Sequence, residues 1–196
     1  MPINAPNLLT LLRIALIPVF VLVYFLHVAW ANLGSAAFFF LAAFTDWLDG
    51  YLARKLNQSS AFGAFLDPVA DKLMVAAALI LIVANPALRP TLLDGPLFSV
   101  VVLIIIGREI AVSALREWMA EVGKRKKVAV SYVGKFKTLA QMAAILLMLY
   151  ERPIFGVRAF RVGEILLYVA AGLTLWSMGV YLKAAWPELV EAERSP

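Results

Sequence analysis

The sequence predicts an all-α, polytopic membrane protein with six transmembrane helices and a single domain over residues 1–196. Of these residues, 63% are hydrophobic and only 16% are charged, whereas an average soluble domain is about 25% charged. Long apolar stretches recur along the whole chain, and short polar connections divide them. Six membrane-crossing helices of about 20 residues each would use most of this apolar content.

The first half of the chain contains three of the predicted spans. Span one covers residues 8–28, a largely apolar stretch that includes Thr10, Arg13 and His27. Span two covers residues 33–57, and its charged side chains enter only in its second half. Span three covers residues 65–84 and begins with acidic residues that give way to a continuous apolar run.

The second half begins with a proline-rich connector at residues 85–96, because proline does not continue a helix. Span four covers residues 97–119, and a basic loop follows at residues 123–127. Spans five and six cover residues 136–150 and 164–185. A short polar tail completes the chain.

Lysine and arginine are distributed unevenly between the two predicted sides of the membrane. One side has only four such residues, Arg89, Arg152, Arg158 and Arg161. The other side has a larger set, Arg54, Lys55, Lys124, Arg125, Lys126, Lys127, Lys135 and Lys137. Because short cytoplasmic connections are rich in Lys and Arg, the second side is predicted to be cytoplasmic, together with both termini. Orientation and anionic lipid therefore explain the net charge of +5 better than nucleic-acid binding.

The chain has no cysteine and a single histidine, His27. Disulfides, thiolate chemistry and zinc sites that need Cys are therefore excluded. A histidine-rich metal site cannot be built from one residue. The first residues also lack a basic segment followed by a cleavage site, so no cleavable signal peptide is predicted.

Four carboxylates occupy one short window of this acid-poor chain. Among the 13 acidic residues, four fall within 26 positions: Asp46, Asp49, Asp67 and Asp71. The first two are three positions apart and the last two are four apart, so each pair shares one face of a helix. A short connection makes spans two and three antiparallel neighbours. We therefore expect all four carboxylates to converge just inside the membrane on the cytoplasmic side.

Such a cluster needs positive charge nearby, since carboxylates repel one another and are costly near hydrocarbon. Without Cys and with one His, the available ligands are oxygen atoms, which suit Mg²⁺, Mn²⁺ or Ca²⁺. Two divalent ions held by shared carboxylates would balance the four charges. A site of this kind usually recruits a phosphate-bearing substrate.

Small residues beside the carboxylates leave room for a bulky ligand. Gly50, Ala53 and Gly63 keep the helix surfaces low near the expected metal site. Arg54 lies eight residues after Asp46 and can reach the phosphate of a bound nucleotide.

The full pattern is D-x-x-D-G-x-x-A-R, eight residues, then G-x-x-x-D-x-x-x-D, from Asp46 to Asp71. At every fixed position it resembles the signature of the CDP-alcohol phosphotransferases. The resemblance implies that two divalent ions, Mg²⁺ or Mn²⁺, are bound chiefly by Asp46, Asp49 and Asp67. It implies that Asp71 completes this site and serves as the general base. Membership of this family also implies a homodimer.

The resemblance further implies where the CDP-bearing lipid is bound. Gly50 and Arg54 are implied as contacts to the CDP moiety, and Ser60 stands where the family often has a small hydroxyl residue. The remaining candidate contacts to CDP-diacylglycerol are Pro6, Asn7, Thr10, Ala53 and Gly63. The pair Pro6-Asn7 is also suited simply to capping the first helix.

The acceptor is indicated by segments outside the signature. Residues 5–13, 107–110, 113–117, 134–138 and 141–142 resemble the bacterial members that transfer a phosphatidyl group from CDP-diacylglycerol to sn-glycerol 3-phosphate. Independently, a dianionic phosphate needs cationic side chains, and a charge that follows an apolar run is a functional candidate. The candidate acceptor-binding residues are Arg108, Arg116, Lys135 and Lys137.

Purely structural roles remain open for these cations. Arg108 is adjacent to Glu109 and can pair with an acid, and Arg116 can belong to a solvated helix end. Lys135 and Lys137 can serve orientation and anionic-lipid binding instead.

Three other functions also remain open at this point. A related enzyme would use another phosphorylated polyol, such as inositol phosphate. A cation transporter would more often place its acids near the membrane midplane and contain inverted repeats. A polyprenyl transferase would typically show two separated Asp-rich motifs in a longer chain.

Overall fold

The structure is a computed structural model that describes residues 5–56, 61–121 and 132–194. Six long helices account for most of this chain, and each overlaps one of the predicted spans, although α1 ends at Tyr24, before the predicted end of span one at residue 28. They are α1 (Ala5–Tyr24), α2 (Ala31–Leu56), α3 (Ala61–Ala84), α4 (Gly95–Glu121), α5 (Tyr132–Tyr150) and α6 (Ala159–Arg194). The connector predicted at residues 85–96 contains a short 3₁₀ helix, Pro86–Thr91.

The helices form a bundle in which successive helices run in opposite directions. Helix α1 packs against α2 and α3, α5 packs against α6 and α2, and α4 packs against α6 and α3. Tyr24, which ends α1, donates a hydrogen bond to the carbonyl of Leu81 near the end of α3, at 3.3 Å. We call this the connector end of the bundle, and the opposite end, where α2 finishes and α3 begins, the carboxylate end.

A continuous apolar core runs through the bundle and includes side chains from all six helices. Aromatic residues fill the part of this core that is nearer the connector end, and Phe20, Phe39 and Phe98 are each at most 1% exposed. Burial of each large apolar side chain contributes about 1.5–3 kcal/mol in water. Within a membrane, close packing of the helices makes the larger contribution.

Helices α5 and α6 are in close contact at Gly163. A Cβ atom on this residue would lie 2.7 Å from the carbonyl oxygen of Ala144 and 2.7 Å from Cγ of Met148. Only a residue without a side chain fits there. This contact fixes the distance between the two helices near the connector end.

A buried carboxylate joins the connector to α6. Glu164 is fully buried and accepts hydrogen bonds from the backbone N–H of Leu93 and from the hydroxyl of Tyr168, each at 2.8 Å. Arg161 lies 3.4 Å from the second carboxylate oxygen. The buried charge is thereby surrounded by donors, as buried polar groups require.

Four of the described helices are long and apolar enough to cross a membrane, namely α1, α2, α4 and α6. Many large apolar side chains on the outside of the bundle are exposed, as a lipid-facing surface requires. The protein is therefore a membrane protein. Helix α3 carries Asp67, Asp71 and Lys72 in its first half, and the apolar part of α5 is shorter, Lys137–Tyr150.

Two further features of the fold differ from the prediction. A two-stranded hairpin, β1 (Pro153–Ile154) and β2 (Val157–Arg158), precedes α6, which was not expected in an all-α chain. Its turn places both Phe155 and Gly156 at positive φ, as tight hairpin turns require. Helix α6 also extends beyond residues 164–185 in both directions, because apolar content marks the membrane depth and not the helix ends. The basic loop at residues 123–127 lies outside the described residues.

Candidate active site

The four signature carboxylates all lie at the carboxylate end of the bundle. Asp46 and Asp49 lie on the last turns of α2, and Asp67 and Asp71 lie on the first turns of α3. Asp49 is buried, whereas the side chain of Asp46 is 42% exposed. Electrostatic repulsion acts on Asp46 from both Asp67 and Asp71. The predicted grouping at one end of the bundle is thus present.

Arg13 of α1 is inserted between the two carboxylates of α2. Its side chain is 1% exposed, and its Nη1 atom donates a hydrogen bond to Oδ1 of Asp46 at 2.6 Å. Its Nη2 atom donates to Oδ2 of Asp49. A planar guanidinium with two parallel donors suits such a double contact. Arg13 therefore neutralises this carboxylate pair from a neighbouring helix.

One face of α1 supplies further polar groups to the same place. Asn7, Thr10 and Arg13 are all buried and recur every three residues, so they share a helix face. The hydroxyl of Thr10 donates a hydrogen bond of 2.6 Å to Asp67 on α3. Of the residues that the sequence suggested as lipid-nucleotide contacts, Thr10 thus contacts a signature carboxylate, and Asn7 lies one turn away on the same buried face.

The donor set fits a hard divalent cation by its chemistry. All four acidic groups offer oxygen atoms, and the single guanidinium of Arg13 cannot neutralise four negative charges. Among the described residues, however, no three His, Cys, Asp or Glu side chains are arranged as a group that could hold a metal ion. Here Arg13 supplies the positive charge that Asp46 and Asp49 require.

A cavity of about 770 Å³ opens beside the carboxylates and lies between helices α2 to α6. This volume is typical of a small-molecule site. Asp46 and Asp71 form part of its acidic side. Arg108 and Arg116 of α4 and Lys137 of α5 line the same cavity. The structure thus places three of the four predicted acceptor-binding cations beside two of the predicted metal ligands.

Side chains of α6 hold the two arginines of the cavity. Nη2 of Arg108 donates to Oγ of Ser177 at 2.8 Å. Nη2 of Arg116 donates to the hydroxyl of Tyr181 at 3.3 Å, and its guanidinium lies 5.4 Å from the centre of that ring. The guanidinium–ring distance is within the range of a cation–π contact. Both guanidinium groups are therefore fixed in place by α6.

Some hydrogen-bonding capacity in the cavity is unused. The buried Nε atoms of Arg108 and Arg116 have no hydrogen-bond partner among the described residues, and the same is true of Oε1 of Gln141. Buried donors are rarely left without partners in folded proteins. An anionic ligand in the cavity would supply acceptors for these N–H groups.

The structure also bears on the structural roles left open for these cations. Arg108 does pair with Glu109, whose Oε1 atom lies 3.0 Å away, and Glu109 itself lines the cavity. Arg116 is half-buried against Tyr181 and is not a solvated helix end. Lys137 is 2% exposed, which is unlike a lysine that only contacts lipid head groups.

The remaining candidates are only partly described. Gly63 is buried at the start of α3, and Gly50 is half-buried on α2. Ser60 and the side chains of Pro6, Ala53, Arg54 and Lys135 lie outside the described residues.

Outside the acids and cations, much of the cavity lining is apolar. Side chains from four helices contribute, and they are exposed where the cavity meets the outside of the bundle: Trp47, Leu73, Ile110 and Leu139. A ligand with a charged part and a hydrocarbon part would match both kinds of lining.

Sequence reasoning missed several residues of the site. Arg13, Glu109, Ser177 and Tyr181 contact the predicted residues, but none was proposed as a member of the site. For Arg13 and Glu109 a signal was available, since a charge within an otherwise apolar helix is a functional candidate. Ser177 and Tyr181 carry no such signal.

Comparisons with known proteins point in one direction. The family model for CDP-alcohol phosphatidyltransferase matches residues 3–176. A CDP-diacylglycerol–glycerol-3-phosphate 3-phosphatidyltransferase of Yersinia pestis (strain Pestoides F) is 49% identical over 191 residues, which cover 97% of this chain and 100% of the relative. Relatives of the same description from Shigella flexneri serotype 5b (strain 8401) and Salmonella paratyphi A (strain ATCC 9150 / SARB42) are 51% and 50% identical over the same lengths. The chain belongs to the CDP-alcohol phosphatidyltransferase family.

Proposed function

We propose that this protein transfers the phosphatidyl group of CDP-diacylglycerol to sn-glycerol 3-phosphate. The products are phosphatidylglycerol phosphate, which stays in the membrane, and CMP. One observation carries the proposal: carboxylates of the family signature and a set of three cations line the same cavity. Relatives that are about half identical over their full length carry the name of this activity.

The acceptor's phosphate belongs at the cationic side of the cavity. Arg108, Arg116 and Lys137 present several N–H donors there, and two of the buried Nε–H groups have no partner among the described residues. Charge-assisted hydrogen bonds of this kind bind phosphate strongly. A neutral polyol such as free inositol would bring no negative charge to this side of the cavity.

The acceptor's hydroxyl then lies on the acidic side, near Asp71. In the proposed reaction the carboxylate of Asp71 takes the proton of the C1 hydroxyl. The resulting oxygen attacks the phosphorus bonded to diacylglycerol, and the bond from that phosphorus to the CMP oxygen breaks. Asp71 suits this role because it lines the cavity that also contains the proposed phosphate contacts.

Asp46, Asp49 and Asp67, together with Asp71, would hold two divalent ions, Mg²⁺ or Mn²⁺. When bound, these ions neutralise the diphosphate and stabilise the departing CMP. Asn7 and Thr10 would position the nucleotide from α1, with Gly50 and Gly63 leaving space for it. Thr10 already supports Asp67 through its hydrogen bond.

We also propose a disposition in the bilayer. All six long helices would cross the bacterial inner membrane, with the carboxylate end and both termini in the cytoplasm. The larger number of Lys and Arg residues on that side supports this orientation. A homodimer is proposed from family membership alone.

An acceptor assay tests the proposed function. Release of CMP from CDP-diacylglycerol would be measured with sn-glycerol 3-phosphate, inositol phosphate, inositol and serine, each with and without chelator. We expect activity with glycerol 3-phosphate only, loss of activity with chelator, and recovery with Mg²⁺ or Mn²⁺. Activity with inositol phosphate alone would reassign the acceptor.

Replacing the proposed base gives a second test. We expect Asp71→Asn to lower kcat by about 10²–10⁴-fold, the usual contribution of general base catalysis. CDP-diacylglycerol binding should be retained if the variant is folded. Full activity in Asp71→Asn would rule out the general-base role.

A further inference from the structure

We propose that the carboxylate of Glu109 is a displaceable substitute for the acceptor's phosphate. In the empty site it neutralises the cationic side of the cavity, and a phosphate dianion displaces it on binding. Glu109 would thereby set both the affinity for the acceptor and the preference for a phosphorylated one. This inference rests on the proposed function, because it concerns how that site takes its acceptor.

The geometry of Glu109 is that of a shared counter-ion. Its Oε1 atom accepts hydrogen bonds from Nη1 of Arg108 at 3.0 Å and from Nζ of Lys137 at 2.9 Å. The two donors come from different helices, α4 and α5. One carboxylate oxygen therefore occupies the point where the cations converge, which is the point that a phosphate oxygen would take.

Glu109 is also free to leave that point. Its side chain is 27% exposed and lines the cavity, whereas Arg108 and Lys137 are 7% and 2% exposed. The cations are thus fixed by their surroundings, while the acid faces open space. Rotation of the Glu109 side chain would release both cations without moving a helix.

The charge balance favours the exchange. Within the described lining, Glu109 contacts Arg108 and Lys137, and Arg116 lines the same cavity. The buried Nε–H groups of both arginines have no partner among the described residues. A phosphate brings two negative charges and several strong acceptor oxygens, so it can satisfy more of these donors. A neutral alcohol cannot compensate two released cations, and so it would not displace Glu109.

Displacement also changes the electrostatics at the acidic side of the cavity. The charge of Glu109 acts repulsively on Asp71. When the acceptor binds, the carboxylate of Glu109 would turn away from the cations, and the acceptor's hydroxyl would approach Asp71. The cost of breaking two charge-assisted hydrogen bonds reduces the apparent affinity for the phosphate.

Binding of inorganic phosphate to the purified full-length protein tests the proposal without any turnover. Titrations would compare the wild type with Glu109→Gln, and with Glu117→Gln as the control, since Glu117 is an exposed acid on the same helix. We expect phosphate to bind Glu109→Gln at least about tenfold more tightly than the wild type. The neutral amide would compete for the cations less strongly than the carboxylate, by roughly the free energy of one charge-assisted hydrogen bond. The control should stay within about twofold of the wild type, within ordinary context dependence of a surface change.

Equal or weaker phosphate binding in Glu109→Gln would overturn the proposal, because it would make Glu109 a support for the cations and not their competitor. If Glu109→Gln is unstable, phosphate should raise its unfolding temperature more steeply than that of the wild type. Absence of such a rise would also overturn it.

The acceptor assay separates this inference from the proposed function. If Glu109→Gln binds phosphate as the wild type does, and the wild type transfers the phosphatidyl group to glycerol 3-phosphate, only the proposed role of Glu109 is contradicted. If Glu109→Gln binds phosphate more tightly, but the wild type transfers nothing to glycerol 3-phosphate, only the proposed function is contradicted.

Discussion

Arg13 has the least solvent exposure of the charged residues around the carboxylate cluster. It lies on α1, far from the signature in sequence, and it contacts both Asp46 and Asp49. Two acids on one face of a helix near hydrocarbon would otherwise repel each other without compensation. Arg13 therefore holds the end of α2 in its observed position when no other cation is present.

Removing this charge should destabilise the metal-free protein. We expect Arg13→Met to lower stability in chelator by about 3–5 kcal/mol, the cost of leaving a buried partner unpaired. Divalent cation should restore much of the loss, because it supplies the missing positive charge. The measurement is the apparent unfolding temperature of the solubilised protein with EDTA and with Mn²⁺.

The control for this experiment is Arg158→Met, which removes an exposed arginine of the hairpin at the connector end. It should leave both unfolding temperatures nearly unchanged. An Arg13→Met variant as stable as the wild type in EDTA would show that the carboxylates do not need this partner.

Residue spacing predicted the acidic side of the site better than the cationic side. The positions of Asp46, Asp49, Asp67 and Asp71 follow from intervals of three and four along two neighbouring helices, which are local properties. The contacts of Glu109 with Lys137, and of Arg108 with Ser177, join residues 28 and 69 positions apart. Such pairs depend on how helices pack, and no interval in the sequence encodes them.

At the scale of elements, α6 is the support of the cationic side of the cavity. Its first part packs on α5 at Gly163, and its later part holds Arg108 and Arg116 through Ser177 and Tyr181. A change in the distance between α5 and α6 at Gly163 would therefore also shift Ser177 and Tyr181, and with them the two arginines.

A side chain at the α5–α6 contact should separate the two helices. We expect Gly163→Ala to lower stability by about 1–3 kcal/mol, as overpacking commonly does, because its Cβ would meet the backbone carbonyl of Ala144. The matched control is Gly179→Ala on the same helix, where a Cβ would have no atom within 4 Å. Alanine there should be neutral or stabilising by up to about 1 kcal/mol.

Thermal unfolding of the three solubilised proteins measures the effect. Equal unfolding temperatures for the two glycine variants would show that the α5–α6 contact yields without cost.

Apolar stretches predicted every long helix, although they did not predict where each one ends. Spans were read from hydropathy, which reports contact with lipid, while α6 continues as a helix beyond its apolar part. The hairpin before α6 was missed for a different reason. Its turn uses Phe155-Gly156, and only one of these residues favours positive φ.

The whole molecule is chemically asymmetric along its helix axes. Its connector end has the short hairpin, the 3₁₀ helix and the buried Glu164. Its carboxylate end has the signature acids and the cavity. Because glycerol 3-phosphate and CMP are water-soluble, the proposed function requires the carboxylate end to face an aqueous compartment, which in the proposed orientation is the cytoplasm.

Single cysteines can establish this orientation without background, since the natural chain has none. We expect Phe155→Cys, in the exposed hairpin turn, to react with a membrane-impermeant maleimide in intact bacteria. Lys55→Cys, near the end of α2, should react only after the membrane is permeabilised, because it lies at the carboxylate end. The reverse pattern would invert the proposed orientation.

The mixed lining of the cavity has a consequence for how the rate depends on the two substrates. Exposed apolar side chains such as Leu73 and Ile110 lie at the cavity where it meets the surface of the bundle, and the charged groups lie beside them. A lipid that enters past them travels by two-dimensional diffusion, whereas the phosphorylated alcohol arrives from bulk water. Turnover would then follow the mole fraction of CDP-diacylglycerol in the bilayer and the molar concentration of the acceptor. Dilution with inert lipid would slow the enzyme even at a constant total amount of each substrate.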